Sequence, residues 1–145
     1  MLIQTTRFGA LDVDEAKVVC FPEGLPGFNQ VKDYVIIPIP QYYPFHCMQA
    51  VNQPDLAFAV ADPWELFPDY VPQIGDDDEA FLELRSPNDA AVYVMAVIPP
   101  DLKNITVNLM APLVINAASR KGRQVIVFGN YSTRERLPNQ QSIAV

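Results

Sequence analysis

Fourteen prolines run through this 145-residue chain, roughly twice the usual share. Proline lacks a backbone N–H and fixes φ, so it is kept out of helix interiors and the middles of central strands. The elements between prolines must therefore be short, and stiff turns must join them. Pro22-Glu23-Gly24-Leu25-Pro26-Gly27 is the densest such turn, with two Pro-x-Gly segments in six residues.

Between the turns the dominant period is two. Residues 2–8 alternate, Gly9 interrupts, and 11–13 resume the pattern, which predicts a hairpin. Strands are further predicted over 17–21, 34–39, 45–51 and 56–61. The run 92–98 is apolar throughout and predicts a strand covered on both faces. Alternation returns at Ile105, Val107 and Leu109, and 113–117 and 124–128 flank a basic turn at 119–122. Helix signals are confined to the middle. Asp62-Pro63-Trp64-Glu65 offers an N-cap and a first-turn proline, and Pro68 ends it. Asp76-Asp77-Asp78-Glu79 opens a second helix through Phe81 and Leu84, closed by Pro87.

About ten short strands with one or two short helices predict a mainly β chain, a small antiparallel barrel-like single domain over 1–137. Long amphipathic helices, which a doubly wound α/β fold needs, are missing from the pattern. Residues 138–145 read as a loosely ordered tail. Half the residues are hydrophobic and 19% charged, which suits a folded domain and argues against disorder. Cys20 and Cys47 are too few for a disulfide framework and follow no zinc spacing. No secretory leader pattern or membrane-length apolar run is present, so a cytoplasmic protein is expected.

Charge is segregated along the chain. Residues 55–101 hold eleven acids and one base, Arg85, whereas 102–145 hold six bases and one acid, Glu135. The whole chain carries −7. Like charges gathered in one region add into a field that a charged macromolecule feels.

Catalytic signals are weak. His46 precedes Cys47, but adjacent side chains on a strand point to opposite faces and cannot readily pair. The acids at 76–79 are consecutive, whereas a calcium loop spaces its carboxylates at alternate positions. They suit a helix N-terminus. Arg120-Lys121-Gly122-Arg123 reads as a solvated hairpin tip, because no aromatic stacking motif of an RNA-binding sheet surrounds it. No enzyme, cofactor or metal site follows. Trp64, Phe67 and Tyr70, with Asp69 between them, crowd a proline-bounded stretch that suits a partner helix.

Six stretches in register resemble the FliW family of flagellar assembly factors: FPEGLPGF at 21–28, PDLAFAVADP at 54–63, FPDY at 67–70, NLMAPLVIN at 108–116, RKGRQV at 120–125 and YSTR at 131–134. The likeness spans about residues 1–136. Glu135-Arg136 departs from the family where a histidine is common, and Phe45-His46-Cys47-Met48-Gln49 departs from the usual Leu-Gln version. The resemblance implies a non-enzymatic cytoplasmic protein, monomeric when free, that binds flagellin. It also implies binding of the translational repressor CsrA, with flagellin as competitor, and no direct contact with nucleic acid or membrane. The sequence leaves three alternatives: a flagellin chaperone without CsrA contact, an RNA-binding module using Arg120, Lys121 and Arg123, and a hydrolase built around His46. Candidate partner-binding residues are Trp64, Phe67, Asp69 and Tyr70 for an apolar helix. Asp76, Asp77, Asp78 and Glu79 are the candidates for an acidic face toward CsrA. Pro22, Gly24, Pro26 and Gly27 are expected to fix a turn anchored by Phe21 and Phe28, and Asn108 and Asn116 to hold loops.

Overall fold

The computed structural model describes residues 1–138, so most of the expected tail lies outside the described residues. A hairpin of β1 (Leu2–Thr5) and β2 (Gly9–Asp12) forms a separate two-stranded sheet. It is tied to the main body by the Thr6 N–H donating to the Pro54 carbonyl at 2.9 Å. β3 (Val19–Cys20) then starts the main sheet, two residues later than the apolar pattern predicts, because a 3-10 turn capped by Asp14 holds Glu15–Lys17.

β4 (Asp33–Pro38), β5 (Phe45–Ala50) and β6 (Ala57–Ala61) follow as an antiparallel meander. Alternation turns Tyr34, Met48 and Val60 onto Phe21, Leu113 and Ile115, the centre of the main core. The one polar side chain fully enclosed here, Gln49, donates to the Leu56 and Pro54 carbonyls at 3.2 Å and so fills the β5–β6 turn. α1 (Pro63–Leu66) and α2 (Asp76–Leu82) come next, and then β7 (Ala90–Val97) returns beside β6.

The other edge of β7 carries two strands end to end. Its C-terminal half pairs with β8 (Thr106–Val107) and its N-terminal half with β9 (Leu113–Asn116). Between them the chain loops out at 108–112, where Asn108 Oδ1 accepts the Ala111 N–H at 2.9 Å. From this fork β10 (Gly122–Gln124) adds to β9, and β11 (Glu135–Arg136) adds to β8.

The result is a nine-stranded sheet that curls without closing as a ladder. Its edges meet at a single bridge, Cys20 to Lys121, where the Cys20 N–H donates to the Arg120 carbonyl at 2.9 Å. The architecture is thus mainly β and barrel-like only loosely. Gly122 permits that approach, since a Cβ there would stand 2.7 Å from the Phe21 ring. Gly24 does the same for the proline-rich turn. It has φ +70°, and an added Cβ would lie 2.6 Å from the Asn29 backbone.

Four local expectations change. β7 is not covered on both faces: only Val94 is fully buried and Val97 is 67% exposed. The strand enclosed along its whole length is β9. Of the two anchors expected for the turn, Phe21 is buried but Phe28 is exposed, and Leu25 takes the inner position. α2 starts from Gly75 and stops at Leu82 with Glu83 left-handed. Pro87 instead opens a 3-10 turn held by a Ser86–Asp89 capping box. Residues 125–128 are extended but lie beyond β10, bonded to the 108–112 loop through Val125 N–H to Pro112 and Val127 N–H to Met110.

Candidate functional site

α1 is built as its sequence requires. Asp62 accepts the Trp64 N–H at 2.9 Å, Pro63 occupies the first turn, and Phe67 caps the end before Pro68. This single turn points Leu66 into the core and leaves Trp64 39% exposed. The Trp64 indole donates to the Tyr70 carbonyl at 2.8 Å. Tyr70 is itself a core residue: its hydroxyl donates to the Leu109 carbonyl at 2.6 Å and its ring meets Tyr131 edge-on at 4.9 Å. Burial pushes its phenol pKa well above the ordinary value. Phe67 packs on the cluster that includes Phe45, Val94 and Ile105, while Asp69 stands exposed.

A groove of about 360 Å³ opens beside Trp64 and Tyr70. Its other walls are Ile74, Leu84, Arg85 and Glu79. The structure therefore brings Trp64, Tyr70 and Glu79 of the candidate residues to one cleft, and leaves Phe67 and Asp69 outside its lining.

The acidic run on α2 does not act as a unit. Asp76, Asp77 and Glu79 are exposed, whereas Asp78 pairs with Arg123 at 3.1 Å. Arg123 also binds Glu23 through Nε at 2.7 Å and a terminal nitrogen at 3.0 Å. Its guanidinium lies 3.9 Å from the Phe81 ring centroid, and Lys121 Nζ lies 4.2 Å from the same ring. The expected solvated basic tip is thus corrected. Lys121, just before β10, and Arg123 on it stand two positions apart and both reach Phe81 of α2, so this part of the basic segment is matched to the acidic one inside the molecule. Arg120 is bound as well, donating to the Lys17 carbonyl at 2.9 Å. The hydrogen bonds to Glu23 hold its carboxyl pKa below the ordinary value and raise that of Arg123.

Other acids of the 55–101 segment serve the backbone. Asp62, Asp89 and Asp101 accept cap N–H groups, and Glu65 accepts the Tyr43 hydroxyl. Asp55, Asp69, Asp76, Asp77, Glu79 and Glu83 make no side-chain hydrogen bond or ion pair within the described residues.

Asn116 sets the angle between α2 and the sheet. Its Nδ2 donates to the Leu82 carbonyl at 2.9 Å, and its Oδ1 accepts the Ala118 and Ser119 N–H groups. The His46 ring meets Tyr93 edge-on at 6.4 Å. Burial raises the Cys47 thiol pKa, away from the reactive thiolate. Among the described residues no group of three or more His, Cys, Asp or Glu is arranged to hold a metal ion. Among the described residues no helix is long and apolar enough to cross a membrane.

Sequence reasoning missed two features. One is Arg123 as the tether between α2, β10 and the turn at Glu23; its partners lie 45 and 100 positions away, so no local pattern marks it. The other is a larger groove of about 520 Å³ on the outer face of β5–β7. Ala57 and Ala59, two positions apart on β6, are its trace in the sequence.

Known proteins match this chain along nearly all of its length. The family model described as FliW protein matches residues 2–137. A flagellar assembly factor FliW of Geobacillus sp. is 38% identical over 138 residues, covering 94% of this chain and 95% of the relative. One from Moorella thermoacetica is 36% identical over 139 residues, covering 94% and 88%. A crystal structure of the flagellar assembly factor FliW superposes with a TM-score of 0.87 at 34% identity, over 96% of this chain and 99% of that one.

Proposed function

The chain belongs to the FliW family of flagellar assembly factors, and on that premise we propose that it binds flagellin in the cytoplasm and antagonises the translational repressor CsrA. The Trp64–Tyr70 groove takes the apolar side of a flagellin helix, since aromatic-walled clefts of this kind suit amphipathic helices. Asp76, Asp77 and Glu79 turn toward CsrA, whose RNA-binding surface is basic. A carboxylate cluster beside that surface repels phosphate without filling the RNA site, because RNA affinity is strongly electrostatic.

One observation carries the reading. Glu79 lies in the acidic run and also lines the Trp64 groove, so the two surfaces overlap. A helix in the groove and a repressor on the acids then compete, as coupling of flagellin supply to its translation requires. Free CsrA represses the message when flagellin accumulates, and export of flagellin reverses this.

The test neutralises Asp76, Asp77 and Glu79 to Asn, Asn and Gln while sparing Asp78, whose loss would also free Arg123. Release of leader RNA from CsrA is then titrated at low salt. Release should weaken at least several-fold, with flagellin binding kept through Trp64. Unchanged release with CsrA still bound would remove the electrostatic mechanism. CsrA binding absent even in the unaltered chain would favour a flagellin chaperone.

A further inference from the structure

The larger groove has a construction that the reading above does not use. Its floor is a row of small side chains crossing three strands: Cys47 on β5 lies opposite Ala59 on β6, which lies opposite Ala96 on β7. Tyr42 and Ile39 rise on one side, Leu102 and Ile105 on the other. Three strands at about 4.8 Å spacing give a trough roughly 10 Å across, close to the ~10 Å diameter of an α-helix with side chains. On its walls Tyr42 and Ile98 are 55% and 44% exposed, large apolar surface open to solvent.

Two further facts select the occupant. The strands of the floor are all interior: β5 pairs with β4 and β6, β6 with β5 and β7, and β7 with β6 and the β8–β9 row. Along the Cys47–Ala59–Ala96 row no free backbone edge is offered, so an extended segment lying there would bury unpaired N–H and C=O groups. A helix satisfies its own. Second, the only formally charged side chain in the lining is Arg7, in a chain of net charge −7. Arg7 lines the trough together with Cys47 and Ala59 of the floor.

We propose that this trough is a docking site for an α-helix of a protein partner, apolar and small on its buried side and carrying a carboxylate that meets Arg7. The site is separate from the Trp64 groove, and the proposal stands whether or not that groove takes flagellin.

The probe is a synthetic amidated 16-residue helix with an Ala/Leu stripe and one Glu at the end that would face Arg7. Two controls accompany it, one with Gln for Glu and one with a central proline. Binding is followed by amide chemical shifts of the full chain. Saturable shifts at Cys47, Ala59 and Ala96 are expected. Affinity should fall at least fivefold with Arg7→Glu or with the Gln peptide, and at least tenfold with Ala96→Leu or the proline peptide. Arg7 is exposed, so its variant tests the site even where Ala96→Leu impairs folding. No saturable shifts, shifts centred on Trp64, equal binding of the proline peptide, or indifference to Arg7→Glu would each overturn the proposal.

Discussion

The wall of the sheet from β4 to β7 and the flank made by α2 and β10 are held together by different physics. In the wall, strands pair continuously, and Tyr34, Met48 and Val60 fill one interior with no solvent exposure. On the flank a helix of seven residues rests on Leu82, on Asn116 and on two cations over Phe81. The wall is therefore cooperative, and the flank is locally adjustable. The candidate binding residues on α2 lie on the adjustable side.

The largest expected difference comes from emptying the wall. Met48→Ala deletes a fully buried side chain and should cost about 2–5 kcal/mol. Urea unfolding followed by fluorescence and by far-ultraviolet dichroism should lose midpoint together, with the slope unchanged. If the two probes separate, the wall and the flank do not share one cooperative transition.

Arg123→Met should act on the flank alone. The methionine keeps an apolar stem over Phe81 but drops the ties to Asp78 and Glu23. Such solvent-screened ion pairs and stacked cations contribute little each, so the midpoint should move little. Hydrogen exchange should report the change instead, with amides of α2 several-fold faster and those of β5 unaltered. Equal acceleration in both would show that the flank is not a separate unit.

The wall was legible in the sequence because period-two alternation and the interval between prolines both reflect local geometry. α1 was legible for the same reason, since Asp62, Pro63 and Pro68 are all within one turn of it. The flank was not. Leu82 and Asn116 meet across 34 positions, and Arg123 reaches Asp78 across 45. Nothing in the spacing of residues 119–123 distinguishes a solvated tip from a cation pair stacked on Phe81. The apolar run of β7 misled for a related reason, because composition registers how apolar a strand is and not what covers it. Val97, 67% exposed, alternates with Ala96 and so faces away from the larger trough, whereas Ile98 just past the strand lines it. Of the groove's lining, composition and helix capping mark Trp64, Tyr70 and Glu79 as candidates, although Tyr70 lies mostly within the core.

The smallest effect is also the most selective one. Hydrogen bonds from Arg123 hold the Glu23 carboxyl below its ordinary pKa. A group whose pKa is depressed on folding adds stability above its unfolded value, about 4.3 for glutamate, and loses it as pH falls through the folded value. Wild type should thus melt slightly above Arg123→Met at neutral pH, and the two should converge as the solution is taken below about pH 4. Glu23 is solvent-exposed, so salt should shrink the neutral-pH gap as well. A gap that persists unchanged into acid and high salt would assign the tether to stacking on Phe81. In that case the charges of β10 would be free to respond to a partner, and the flank would resemble the wall more closely than its ion pairs suggest.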